Sequence, residues 1–230
     1  MFAGAGGGLL ASKLLGWNTV AACEIEKSRR RILLQRQRDG ILDRFPIWDD
    51  VRTFDGRPWR GLVDIITGGF PCQDVSIAGT GKGLAGSRSS LWFEYERIIE
   101  EVRPSFIFAE NSPNLRTRGL TRIVKGLDRL GYDCRWGVLG GWHFGASHKR
   151  NRMWVLAYDH SSGRQKQWRS KPDEEEYKAF ECGCGWPREP VLERVAYRVA
   201  NRVDRLEAVG DGQIPIVAAT AFKLLSEGLL

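Results

Sequence analysis

From residue 2 to residue 157 the sequence repeats one arrangement, in which a short apolar run ends in small or polar residues and a segment with apolar residues at helical spacing follows. Strands alternating with helices in this way predict an α/β fold, with crossover helices on both faces of a parallel sheet. The clearest strands are expected at Thr19–Cys23, Val63–Thr67, Phe106–Ala109 and Arg152–Ala157. Helices are expected over Leu9–Leu15, Lys27–Gln37, Leu91–Val102 and Leu120–Leu130. Open sheets of this kind bind ligands at the carboxyl ends of their strands, so the polar residues there are the candidate functional residues.

Other bulk properties narrow the function classes. The 230 residues suit one core, and no apolar run approaches the roughly 18 residues that cross a bilayer. Met1 opens directly into Phe2-Ala3-Gly4-Ala5-Gly6-Gly7-Gly8 without the basic and apolar regions of a secretory signal. Five irregularly spaced cysteines fit a reducing compartment, so a cytoplasmic protein with free thiols is expected; a monomer is also expected. A net charge of +7 favours a polyanionic partner through counterion release, although a solvated basic surface has the same composition.

Gly4-x-Gly6-Gly7 leads into a helix, a place where the backbone turns tightly and a ligand approaches closer than side chains would allow. Glu24 ends the next predicted strand about twenty residues on, in position for ribose hydroxyls, and Asp50 ends the one after, with Ile25 and Val51 beside them. Carboxylates at successive strand ends suit a nucleoside. A glycine-rich helix entry with exposed acids is the plain alternative.

Gly68-Gly69-Phe70-Pro71-Cys72-Gln73 follows the strongest predicted strand. A thiol reacts as thiolate, and a position at a strand end near basic groups favours that form, whereas a lone buried cysteine is more often a small apolar residue. Glu110-Asn111 ends another strand, and a carboxylate against apolar walls has the raised pKa of a proton donor. Arg150 and Arg152 flank Asn151, and alternate side chains on a strand share a face. Two guanidiniums there hold an anion or a carbonyl oxygen; a solvated basic edge is the alternative.

These motifs, in this order, resemble the DNA cytosine-5 methyltransferase family in a short, phage-like form, over nearly the whole chain. Phe2-Ala3-Gly4-x-Gly6-Gly7 is similar to its cofactor loop, Glu24 to its ribose-binding acid and Asp50 to the acid that meets the adenine amino group. Pro71-Cys72-Gln73 matches its catalytic motif, Glu110-Asn111 its catalytic acid motif and Arg150-x-Arg152 its basic motif. Ser87-Arg88-Ser89-Ser90-Leu91-Trp92 resembles the opening of the following helix, and Gly210-Asp211-Gly212-Gln213-Ile214-Pro215 the late loop that returns to the cofactor. The resemblance implies a Rossmann-like sheet that binds S-adenosyl-L-methionine and uses no metal. Cys72 would be the nucleophile on a cytosine flipped out of double-stranded DNA, Glu110 the acid at N3, and Arg152 with Arg150 the holders of O2. Cys182-x-Cys184 lacks the second pair that a zinc site needs.

Set against the family pattern, the strand that precedes Phe2 is largely missing, and residues placed ahead of it are expected to raise stability and cofactor affinity. Ser112, His148 and Asp211 stand where the family usually carries valine, glutamine and asparagine. The expected organisation is a cofactor-binding catalytic domain over 1–157, a reduced target-recognition segment over 158–200 and a returning segment over 201–230 that holds an apolar helix, Pro215–Leu225. Lys166, Trp168, Arg169 and Lys171 are candidate nucleic-acid contacts in the reduced segment, which also reads as an exposed charged loop. Three competing readings are a tRNA cytosine-5 methyltransferase, a catalytically silent module of the same fold, and a small-molecule dehydrogenase, which fits the glycine loop but leaves the cysteine, glutamate and arginine motifs unexplained. No residue pattern identifies a companion restriction endonuclease.

Overall fold

The computed structural model describes residues 1–71, 90–146, 148–159 and 212–230. In chain order its elements are α1 (Gly7–Leu14), β1 (Ala22–Cys23), α2 (Lys27–Arg38), β2 (Ile47–Trp48), β3 (Ile65–Gly69), α3 (Ser90–Val102) and β4 (Phe106–Asn111). There follow α4 (Leu115–Arg118), α5 (Leu120–Arg129), β5 (Tyr132–Leu139), β6 (Arg152–Asp159) and α6 (Pro215–Ser226), with short 3-10 turns at Arg57–Trp59 and Gly141–Phe144. Cys72, Asp211 and residues 160–200 of the expected recognition segment lie outside the described residues, while its first two, Tyr158 and Asp159, finish β6.

Alternation along the central strands sorts their side chains into two apolar layers. Ile107 and Ala109 of β4 and Met153, Val155 and Ala157 of β6 face α3 and α5, whose Trp92, Tyr95, Ile98, Ile99, Ile123 and Leu127 fill that layer. Phe108, Trp154 and Leu156 face the other way, against Ala11 and Leu14 of α1 and Val217, Ala218, Ala221 and Phe222 of α6. Trp154 stacks on Phe108 with ring centroids 5.3 Å apart. Burying each such large side chain contributes about 1.5–3 kcal/mol, and this is what presses helices onto both faces of the sheet.

Strand order in the main sheet is β3-β4-β6-β5, and β1 and β2 form a separate parallel pair. β3 and β4 are parallel, as expected, with Gly69 beside Glu110. β6 departs from expectation, because it runs antiparallel to both β4 and β5. Among the described residues, its short connection from β5, residues 140–151, carries only a 3-10 turn, whereas a parallel return needs a crossover helix. This reversal brings the start of β6, with Arg152, to the same end of the sheet as the finish of β4.

The expected strand Thr19–Cys23 shortens to Ala22–Cys23, because only Ala22 and Cys23 pair with β2. Between β1 and β3 lie residues 1–3: the Met1 ammonium donates to the Thr67 carbonyl at 2.6 Å and the Ala3 amide to the Cys23 carbonyl at 2.9 Å. The strand expected at Val63–Thr67 is displaced to Ile65–Gly69, where its partners in β4 are. Helix extents match expectation within two residues at each end, apart from the turns set by packing.

Candidate active site

A cavity of about 1340 Å³ opens along the carboxyl ends of β1, β3 and β4 and continues beside the slot that residues 1–3 occupy. Its lining includes Phe2, Gly4, Glu24, Ile25, Asp50, Val51, Pro71, Leu91, Glu110, Arg152 and Gly212, residues drawn from every motif that the sequence singled out. Gly6, Gly7 and Arg150 are not in that lining.

The glycine segment turns because Gly4 and Gly6 have φ of 55° and 95°, the left-handed region where a side chain is strained. Glu24, which is buried, ties this loop to the end of β1. One carboxylate oxygen accepts the Gly4 amide at 2.6 Å and the other accepts the Glu26 amide at 2.8 Å. Each oxygen keeps a second lone pair for a ligand hydroxyl. Asp50 stands just beyond β2 and is chelated by Arg52, whose guanidinium approaches to 2.6 Å and holds the carboxyl below its ordinary range. Apolar walls between these acids come from Val51, which is buried, and Ile25, which is exposed.

At the other end of the cavity Glu110 closes β4. It is 8% exposed, and its Oε1 lies 2.8 Å from Arg152 Nε. Burial pushes its carboxyl above the usual range, while the Arg152 charge, the Gln213 amide and the Arg150 charge pull the other way. Arg152 thus stands against the acid, a pairing that the sequence reading, which expected it to hold an anion or a carbonyl oxygen, did not foresee. Arg150 differs: its guanidinium donates to the Gly212 carbonyl, so it clamps the returning C-terminal segment to the approach of β6 rather than lining the cavity beside Arg152.

Neighbouring Asn111, which is buried, donates through Nδ2 to the Phe70 carbonyl at 2.9 Å and accepts the Ser112 amide through Oδ1. It thereby pins the backbone that leads into Pro71 and on to Cys72. Gln213 was not singled out by sequence reasoning. Its Nε2 lies 3.5 Å from Glu110 Oε2, its Oε1 occupies the space a side chain on Gly8 would need, and its carbonyl abuts Gly7. The surrounding Gly210–Pro215 motif pointed to this stretch, but an amide side chain between glycine and isoleucine carries no chemical signal of its own. Among the described residues, no group of three or more His, Cys, Asp or Glu side chains is arranged to hold a metal.

A family model described as C-5 cytosine-specific DNA methylase matches residues 1–189. Among similar proteins, the type II methyltransferase M.CviJI of Paramecium bursaria Chlorella virus IL3A is 35% identical over 159 residues, covering 68% of this chain and 41% of that protein. The type II methyltransferase M.Sau96I of Staphylococcus aureus is 30% identical over 162 residues, 67% of this chain and 37% of that one. The chain thus spans about two fifths of the length of these relatives. The crystal structure of the S. pombe Dnmt2 methyltransferase superposes with a TM-score of 0.67 at 17% identity, over 99% of this chain and 97% of that one, which shows a shared fold. With the glycine loop, the acid at the end of β4 and the arginine beside it on one cavity, and a family model spanning most of its length, the chain belongs to the C-5 cytosine-specific DNA methylase family.

Proposed function

We propose that this chain transfers a methyl group from S-adenosyl-L-methionine to C5 of a cytosine flipped out of double-stranded DNA, through a covalent adduct at Cys72. The observation that carries the reading is the Glu110–Arg152 pair: a buried acid and a guanidinium 2.8 Å apart, on the same cavity as Pro71, the residue before the cysteine.

The residues present fit the cofactor. Gly4 leaves the loop bare of side chains, the Glu24 carboxylate has lone pairs to spare for ribose hydroxyls, and Phe2, Ile25 and Val51 offer apolar surface for a purine. Asp50 is the acid assigned to the adenine amino group, and Asp211, Gly212 and Leu91 complete the proposed cofactor contacts. S-Adenosylmethionine supplies, when bound, an electrophilic methyl group.

C5 of cytosine is a weak nucleophile, so the protein has to raise its electron density. The Cys72 thiolate adds to C6, and the electron pair of the C5–C6 bond shifts onto C5 as Glu110 delivers a proton to N3. Arg152 holds the O2 carbonyl, and it also orients Glu110. A carboxyl pushed upward by burial keeps its proton closer to neutral pH, which suits this donor role. After methylation a base removes the C5 proton, the C6–S bond breaks, the Glu110 carboxylate takes back the N3 proton, and the thiolate is restored. Residues 158–200 are proposed as the segment that meets DNA.

The test is incorporation of tritiated methyl from S-adenosylmethionine into DNA and, in parallel, into tRNA, with Cys72→Ala as control. Label in DNA that disappears in the variant supports the proposal; label in tRNA alone transfers it to RNA, and no label in either rejects it. A duplex containing 5-fluorocytosine adds a covalent readout, since the fluorine cannot leave as the proton does and the Cys72 adduct persists.

A further inference from the structure

Glu110 is held from two sides. Arg152 takes Oε1 at 2.8 Å, while Oε2 faces the side-chain amide of Gln213 at 3.5 Å. Gln213 sits just before α6, in a backbone stretch fixed by the Arg150 guanidinium on the Gly212 carbonyl. Its side chain lies in a channel that two glycines leave open. A methyl group on Gly8 would come within 2.6 Å of Gln213 Oε1, and one on Gly69 within 3.3 Å of Gln213 Nε2 and 2.7 Å of Glu110 Oε2. Such separations are below van der Waals contact, so the glycines at the start of α1 and at the end of β3 clear the path between the cofactor loop and the acid.

We infer that Gln213 is a positioning residue for the proposed methyl transfer: its amide bridges the glycine loop to Glu110, donates to Oε2, and sets both the orientation and the proton affinity of that acid. The inference rests on the function proposed above only in calling Glu110 the proton donor.

Physically, the amide can donate but its nitrogen cannot accept, so it favours the carboxylate over the neutral acid. The charged groups that face Glu110 are Arg152 on β6 and Arg150 on the approach to it, and both act in the same direction as the amide. Burial opposes all three. Removing the amide while keeping side-chain length therefore lets burial push the Glu110 carboxyl higher. Because Gln213 also contacts the start of α1, ligand binding at the glycine loop has a direct side-chain route to the acid.

The experiment is a titration of the Glu110 carboxyl carbon by NMR in the full chain labelled with ¹³C-glutamate, with Glu110→Gln to assign the signal. It compares the wild type with Gln213→Met, which keeps length without a donor, and with Gln213→Asn, which keeps the amide but withdraws it by one methylene. Both variants should titrate higher, Gln213→Met by roughly half to one pH unit. The descending alkaline limb of single-turnover methyl transfer should move up by the same amount, with the KM for S-adenosylmethionine altered less than the rate. An unchanged midpoint in whichever variant folds overturns the positioning role, whatever the activity. A shifted midpoint in a protein that transfers no methyl group at any pH supports the role and rejects the function proposed above.

Discussion

Replacing Arg152 by alanine should destabilise the protein at alkaline pH and leave it almost untouched near pH 4. Arg152 Nε lies 2.8 Å from the carboxylate of Glu110, a residue 8% exposed, and its charge is the strongest influence holding that carboxyl down against burial. Without the arginine the folded-state pKa of Glu110 climbs further, while the unfolded value stays near about 4.3. A carboxyl with a folded pKa above its unfolded pKa binds its proton more tightly in the native state. Stability is then greatest at low pH and declines as pH rises from the unfolded value through the folded one. In the variant that decline extends over a wider span, at a limiting slope of about 1.36 kcal/mol per pH unit. The gap between the two proteins opens above the wild-type folded pKa and stops widening at the variant's.

Its ceiling is the cost of stripping one partner from a buried ion pair, about 3–5 kcal/mol. The Arg152 side chain is 25% exposed, so solvent screens part of this, and a loss of about 2–3 kcal/mol at pH 8 is expected. For a chain of this length that lowers Tm by roughly 5–10 °C. Thermal and urea unfolding followed by circular dichroism from pH 4 to pH 9 would measure it in the wild type, Arg152→Ala, Glu110→Gln and the double variant. In the Glu110→Gln background the pH-dependent part of the arginine effect should vanish. An equal loss at pH 4 and pH 8, or the same pH dependence without the carboxyl, refutes the reasoning.

Gly69→Ala places its new carbon 2.7 Å from Glu110 Oε2, so the carboxylate must give way; single-turnover methyl transfer should fall about 10–100-fold while the protein still melts cooperatively. Gly7→Ala meets the Gln213 carbonyl at 2.1 Å, a backbone atom that cannot swing aside, and denaturant titration should show a loss of about 1–3 kcal/mol as α1 and the segment before α6 part. Glu24→Ala removes the acceptor of the Gly4 and Glu26 amides together with the proposed ribose contact; calorimetry should find S-adenosylmethionine bound at least roughly tenfold more weakly.

Much of the architecture was legible in the residues because it depends on local pattern. Apolar spacing marked α2, α3 and α5, the apolar runs marked β4 and β6, and the glycine loop needed only its own composition. The edge strand β5 escaped notice, since Asp133 and Arg135 interrupt its apolar residues and Trp136 and Val138 are exposed, so neither face reads as cleanly buried. The direction of β6 was not legible for a related reason: a strand buried on both faces has the same composition whether it runs parallel or antiparallel, and only its connection decides.

What the sequence alone determined is the kind of chain: an α/β protein whose glycine loop, cysteine, acid and arginines stand in the order of a cytosine-5 methylase, each marked by residue type and a predicted strand end. What only the tertiary structure decided is which atoms meet. Glu110 and Arg152 come together because β6 reverses onto β4, Arg150 donates to the Gly212 carbonyl, and Gln213 reaches Glu110 across 103 positions of sequence. Contacts over such separations are set by packing of sheet and helices as a whole, so no short window of residues encodes them.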